Sequence, residues 1–374
     1  MHEVNQGKER IEKAVRREKT DRTPICLSGD FAFFHYAERS AIPADYVDKF
    51  PWALERALAA VQQMKHIDAV SVLGITPGKA LGAVWMSKTR LPGHELPPTA
   101  SWQIEEVACM QVEDYDVIID KGWKYYQKYY FEHYLGLTEE ELLLSGQYLA
   151  YTDRKLQEFG CINMTQLMGP IIYDGLCAGR GIVNFTRDLW KMPDKVKATL
   201  AVMAEEMLAD FRRDLAALAK RCPGESIRVG IAPAVRGNCD FLSPDKFEKF
   251  VWPLFQAEAN AVLAVGGTPY FHMDANWTKV LDYFKEFPAN RCIFDSDGMT
   301  DIYKIKEVLG GRMCITGNIS AALMALGTPE QVYEAARQQI AAFGPTGFIV
   351  SGACTLPHNT KPENIDAMIA ACLE

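Results

Sequence analysis

From residue 161 onward, short uninterrupted apolar runs alternate with longer stretches in which apolar residues recur every three or four positions. The first kind predicts strands buried on both faces, and the second predicts amphipathic helices. Strands are expected at 161–168, 226–232, 268–273, 292–295, 312–316 and 347–351. Helices are expected at 194–221, 244–265, 278–287, 301–309, 329–343 and 362–373. In the first helix, Leu200, Met203, Met207, Phe211, Leu215 and Leu218 mark one face. Ser243 followed by Pro244 reads as an N-cap and first helical residue.

Before residue 161 the rhythm is looser. An amphipathic helix is expected at 9–19, a strand at 24–28, a helix at 54–66 and a strand at 68–73. A Gly- and Pro-containing excursion at 74–98 follows, then a helical region rich in Tyr, Phe and Leu at 123–160. Eight fully apolar strands alternating with helices predict an α/β protein. The expected architecture is a (β/α)8 TIM barrel with N-terminal helical additions, spanning 1–374 as a single domain. No GxGxxG or P-loop pattern follows any strand, which argues against a nucleotide site.

Composition narrows this only a little. The 374 residues are 48% hydrophobic and 24% charged, which is ordinary for a globular chain. A net charge of -8 without a Lys/Arg run argues against nucleic acid as a partner. No apolar run reaches the length of a membrane span, and the charged N-terminus does not read as a secretion signal, so a cytoplasmic protein is expected. The ten cysteines are scattered without CxxC pairs, so most are expected to be small buried hydrophobes.

In a barrel of this kind, chemistry sits at the C-terminal ends of the strands. Asp30 follows the first strand and residues 74–76 the second. Gln166 and Tyr173 follow the third, and Arg236, Asn238 and Asp240 the fourth. His272, Asp274 and Asn276 follow the fifth. Asp295 and Asp297 follow the sixth, Asn318 the seventh, and Cys354 and His358 the eighth. His272 and Asp274 are two apart, so on an extended chain they point to the same side. With Cys354 they make a plausible zinc set of imidazole, carboxylate and thiolate. The bland alternative is a hydrogen-bonded histidine, a capping aspartate and a packed cysteine. Cys354 reaches the other two only by pointing across the mouth. Phe31, Phe33, Phe34, Tyr36 and Trp85 form an aromatic group that serves as core, or in part as the wall of an apolar pocket.

Several stretches resemble the uroporphyrinogen decarboxylase superfamily. "RIEKAVRREKTDRTP" at 10–24 is similar to its opening helix and first strand. "FLSPDKFEKFVWPLFQ" at 241–256 resembles its Ser-Pro helix, and "GNISAALMALGTPEQV" at 317–332 its Gly-Asn turn and following helix. "GFIVSGACTLPHNTKPENI" at 347–365 is similar to its closing strand and helix. The resemblance independently implies a (β/α)8 barrel. Its decarboxylase branch, which uses no metal, carries an arginine-bearing segment soon after the first strand. Here that segment reads Gly29-Asp30-Phe31-Ala32-Phe33-Phe34, with no arginine before Arg39. A tetrapyrrole with many carboxylates would find little positive charge there.

The corrinoid-linked methyltransferase branch binds zinc through a His-x-Cys pair and a later Cys. His272 and Cys354 match two of those positions, and Asp274 replaces the middle Cys; Asp295 is an alternative third ligand. Exchanging sulfur for oxygen makes zinc a harder Lewis acid, suited to an ether or alcohol oxygen. The resemblance therefore implies a zinc-dependent methyltransferase that removes a methyl group from a small methylated donor, an aryl methyl ether among the candidates. The acceptor would be cobalamin on a separate corrinoid protein, because no Asp-x-His-x-x-Gly cobalt-ligand segment occurs in this chain. Expected roles are metal binding for His272, Asp274 and Cys354, and substrate contact for Asp30, Phe31, Phe33, Trp85, Asn276 and Asn318. Tyr173, Arg236, Asn238 and Asp240 are expected to orient substrate or supply a proton. The alternatives are transfer from a methylcorrinoid to a thiol or tetrahydrofolate, a metal-free decarboxylase, and a non-catalytic binding barrel. Oligomeric state is left open, a homodimer included.

Overall fold

The computed structural model describes all residues except 1, 72, 76, 77, 106, 225 and 232–234; of residues 2–5 only the backbone is described. Thr76 and the last position of the expected 226–232 strand therefore lie outside the described residues. Parallel strands form two sheets. The first pairs β1 (Cys26–Ser28), β2 (Ala69–Ser71) and β5 (Ile162–Asn163). The second runs in order through β6 (Leu167–Met168), β7 (Arg228–Ile231), β8 (Thr268–Met273), β9 (Ile293–Ser296), β10 (Cys314–Ile319) and β11 (Phe348–Gly352). In a small antiparallel hairpin, β3 (Lys88–Arg90) lies within the expected excursion at 74–98, and its partner β4 (Gln103–Glu105) lies beyond it.

The first sheet runs beside the second at β1 and β11. A parallel bridge joins Ile25 to Val350, and the Val350 amide donates to the Pro24 carbonyl at 2.9 Å. On the other side, β5 and β6 belong to what reads in the sequence as one strand. Asn163 interrupts it: its Oδ1 accepts from the Thr165 amide at 2.9 Å, and Gln166 Oε1 accepts from the Arg228 amide at 3.0 Å. Side chains there replace ladder hydrogen bonds. Two helices also depart from expectation. The 244–265 helix divides into Pro244–Phe250 and Trp252–Ala264, because Pro253 cannot donate into a continuing helix. Residues Thr278–Glu286 wind as a 3-10 helix. The aromatic segment after β1 is itself helical, as Phe31–Ala37 and Pro43–Asp48.

Alternation along the strands sorts their side chains into two buried sets. Leu27, Val70, Val229, Phe271, Phe294, Ile315 and Val350 pack in the cluster that includes the covering helices. Cys26, Ala69, Ile162, Tyr270, Ile293, Cys314 and Ile349 form a second, inner cluster with Ile11, Ala14 and Val15 of the N-terminal helix. Two residues further along, on that same inner side, stand Ser28, Ser71, His272, Asp295, Thr316 and Ser351. The inner side thus turns from apolar to polar toward the C-terminal strand ends. All ten cysteines are free, and eight are buried; Cys222 and Cys354 are not. Among the described residues, no helix is long and apolar enough to cross a membrane.

Candidate metal centre

His272 lies at the inner side of β8, and Asp274 follows just past the strand. His272 Nε2 is 3.5 Å from Asp274 Oδ1 and 3.3 Å from Cys354 Sγ. Donor atoms of all three residues lie within 4.8 Å of one another. Cys354 does reach across from the β11 loop. Its φ of 37° is left-handed, as is the 75° of Ala275 next to Asp274. Such backbone costs about 1–3 kcal/mol at a non-glycine residue and is found where surrounding structure imposes it. For Ala275 those restraints are visible: its amide donates to Asp297 Oδ2 at 2.8 Å, and its carbonyl accepts from Thr300 Oγ1 at 3.1 Å. Trp277 adds a third, donating its indole N–H to the Asp274 carbonyl at 2.6 Å.

The donor set suits zinc. Bond lengths of ~2.0–2.3 Å around a tetrahedral ion would separate nitrogen from oxygen by ~3.4 Å and nitrogen from sulfur by ~3.6 Å. The observed separations are close to both. The two carboxylates lie on opposite sides of the His272 ring, Asp274 at Nε2 and Asp295 at Nδ1. Asp295 is buried in β9, and its Oδ2 sits 2.5 Å from His272 Nδ1, on the far side of the ring. With Nδ1–H donated to Asp295, the Nε2 lone pair faces Asp274 and Cys354. Burial disfavours the charged imidazole, yet Asp295 and Cys354 outweigh it and hold the His272 pKa above the usual histidine range. A cation at Nε2 would compete with that proton.

Other expected site residues divide by what holds them. Asn318 pairs its amide and side chain with Gln339, at 3.2 and 3.1 Å. Asn276 is exposed, and its Oδ1 accepts from the Thr278 amide at 3.0 Å. Asn238 is buried and builds a turn, accepting from the Asp240 amide at 2.8 Å and donating to the Val235 carbonyl. Asp240 itself is exposed. Tyr173 and Phe33, expected at the substrate, pack in the core instead, Tyr173 edge-on against Phe185. Phe31 and Trp85 are half-buried. Asp30 is also half-buried, and its Oδ1 accepts from the Gly74 amide at 2.8 Å. Arg236 is buried, and its amide donates to Asp174 at 3.1 and 3.2 Å. Asp174 has no counterpart in the sequence reading. It lies on the helix Ile172–Arg180, and burial pushes its pKa up to about 7 despite the amides and charge of the 235–237 segment.

Residues 172–374 match the family "Uroporphyrinogen decarboxylase (URO-D)". The chain belongs to the uroporphyrinogen decarboxylase family. The matched part holds His272, Asp274, Asp295 and Cys354; Asp30 and the excursion lie before it. Over 138 residues the chain is 29% identical to a protein named methylated-thiol–coenzyme M methyltransferase from Methanosarcina mazei. That match covers 37% of this chain and 35% of the relative, about a third of each. A solved structure described as a methyltransferase from Methanosarcina mazei superposes with a TM-score of 0.67 at 15% identity, covering 98% of this chain and 97% of that one. At that identity the likeness establishes a shared fold for this member of the uroporphyrinogen decarboxylase family.

Proposed function

We propose that this protein is a zinc-dependent methyltransferase that demethylates a small methylated donor, with a corrinoid protein as acceptor. We further infer that its two sheets form one closed (β/α)8 barrel, working as a single domain with its active site at the C-terminal strand ends. The observation that carries the reading is the meeting of His272 Nε2, Asp274 Oδ1 and Cys354 Sγ, with Asp295 fixing the imidazole from behind. These three residues would hold zinc, which when bound supplies Lewis acidity to the leaving atom of the donor. The protein's own part is positioning. Asp295 orients His272, Asp297 and Thr300 fix the backbone beside Asp274, and Phe31 and Trp85 offer partly exposed aromatic surface for an aryl group. Arg236, Asn276 and Asn318 are proposed to border the substrate.

An oxygen donor is the first choice, because one ligand is a carboxylate where the relatives implied by the resemblance carry sulfur. A thiol reading is favoured by the name of the methanogen relative, a methylated-thiol methyltransferase. One experiment tests both. The purified protein is assayed for zinc, then mixed with cob(I)alamin and a panel of methoxyarenes, methanol, methylamines and methylthiols. Methylcobalamin from methoxyarenes supports the first reading, and from methylthiols alone the second. Absence of bound zinc, with no effect of chelator, would sink both.

A further inference from the structure

Cleaving a methyl–oxygen bond leaves a poor anionic leaving group, so the donor reading needs a source of a proton. The acidic groups around the strand ends are nearly all occupied. Asp274 lies in the ligand cluster, and Asp295 holds His272. Asp297 accepts from the Ala275 and Met299 amides, both at 2.8 Å. Asp174 holds the Arg236 amide, and Asp240 is exposed to solvent. Asp30 is different. It follows β1, which is bound to the Cys354 loop by the Leu356 amide donating to the Ser28 carbonyl at 2.8 Å. Among the described residues, its backbone contact is at Oδ1, which accepts from the Gly74 amide. The buried Tyr46 hydroxyl lies near the same carboxyl and interacts with it.

We propose that Asp30 is the general acid that protonates the leaving oxygen of the donor. This rests on the methyl-transfer reading above. In the step, the methyl–oxygen bond breaks and its electron pair stays on oxygen. The new bond to the methyl carbon is made with the electron pair of a Co(I) corrinoid. The proton passes from Asp30 Oδ2 to the oxygen, giving a neutral phenol or alcohol, and Asp30 regains a proton from solvent through its exposed edge. Its setting suits the task. Burial raises its pKa to about 7, with the Gly74 amide and Tyr46 opposing, so the acid form persists at neutral pH. Tyr46, from Pro43–Asp48, is the titratable group acting on it; His35 and His358 flank the neighbouring Phe31, at 6.3 and 6.1 Å between ring centroids. Gly74, whose amide donates to Asp30, is held at φ +88°, where a Cβ would run into Thr152.

The test uses the full-length zinc-loaded protein with cob(I)alamin and a series of aryl methyl ethers of graded phenol acidity, comparing wild type, Asp30→Asn and Tyr46→Phe. Asp30→Asn retains an acceptor for the Gly74 amide. Expected is a loss of roughly 10²–10⁴-fold for the least acidic phenol, shrinking toward none for nitrophenyl methyl ether. Wild-type rate should fall about tenfold per pH unit above about 7, while Asp30→Asn should be flat. Infrared difference spectra should show a protonated-carboxyl band titrating near pH 7 that Asp30→Asn removes. An equal loss for every ether, or no Asp30-dependent carboxyl band, would overturn the assignment while leaving methyl transfer intact. If wild type demethylates no ether at all, the donor reading itself fails, and this proposal with it.

Discussion

The ligand cluster and the Asp30 wall flank the same strand ends but rest on different kinds of structure. His272 and Asp295 stand on β8 and β9, and Asp274 and Cys354 just past β8 and β11, inside the part of the chain that matches the family. Strand parity puts His272 and Asp295 two residues beyond the inner core residues Tyr270 and Ile293, while Asp274 and Cys354 follow in the loops after β8 and β11. Asp30 and Phe31 stand where the short helix Phe31–Ala37 begins after β1, before the matched region, and Gly74 at the start of the excursion donates its amide to Asp30. Ser101 Oγ lies 2.6 Å from His358 Nδ1, and the Ala44 amide donates to the Pro98 carbonyl at 3.0 Å. A regular half, whose strand ends carry the candidate metal ligands, thus adjoins an irregular half of short helices and loops.

The contrast is broken most directly at the ligands. His272→Ala or Cys354→Ala should remove tightly bound zinc, taking metal content from about one per chain toward zero by elemental analysis, with circular dichroism unchanged. Retained zinc would mean that the ligands lie elsewhere. Next is the irregular half. Gly74→Ala forces a side chain at positive φ into Thr152 and should cost about 2–4 kcal/mol in urea unfolding, while metal per folded chain stays the same. Asp295→Asn should be milder than ligand loss. It keeps the imidazole but weakens its orientation, and a 10–100-fold drop in zinc affinity by competition with a chelator is expected.

The smallest effect belongs to the scaffold of the regular half. Glu258 is buried on Trp252–Ala264, its Oε2 has no hydrogen-bond partner among the described residues, and burial raises its pKa well above the usual range. The folded state therefore keeps a proton that the unfolded chain has released. Stability is full below about pH 4.3 and falls by up to ~1.4 kcal/mol per unit as pH rises toward the folded pKa. Glu258→Gln should flatten that slope, matching wild type at acid pH and exceeding it in thermal melts at pH 8. Equal slopes would show that Glu258 is paired in solution.

Much of the regular half was readable in advance. Apolar runs located the strands from residue 161 on, and the two-residue spacing of His272 and Asp274 put them on one side. Less was readable where side chains compete with backbone. The Asn163 turn splits an apolar run that looks continuous, and Pro253 breaks a helix whose apolar spacing carries on past it. Tyr173 and Asn238 follow their strands in sequence, yet one is packed on the helix Ile172–Arg180 and the other closes a turn. Residue type at a strand end does not say which way the following loop folds.

The chain by itself determined the order of strands and helices, because burial on two faces or on one leaves a pattern in the apolar residues. It also determined which strand-end residues were available for chemistry. Only the tertiary structure decided which of them meet. Cys354 joins His272 across 82 positions, Asp295 rather than Asp274 takes His272 Nδ1, and Asp30 finds its partner at Gly74. Those choices depend on strand register and loop backbone, set by the sum of many long-range contacts that no local stretch of sequence contains.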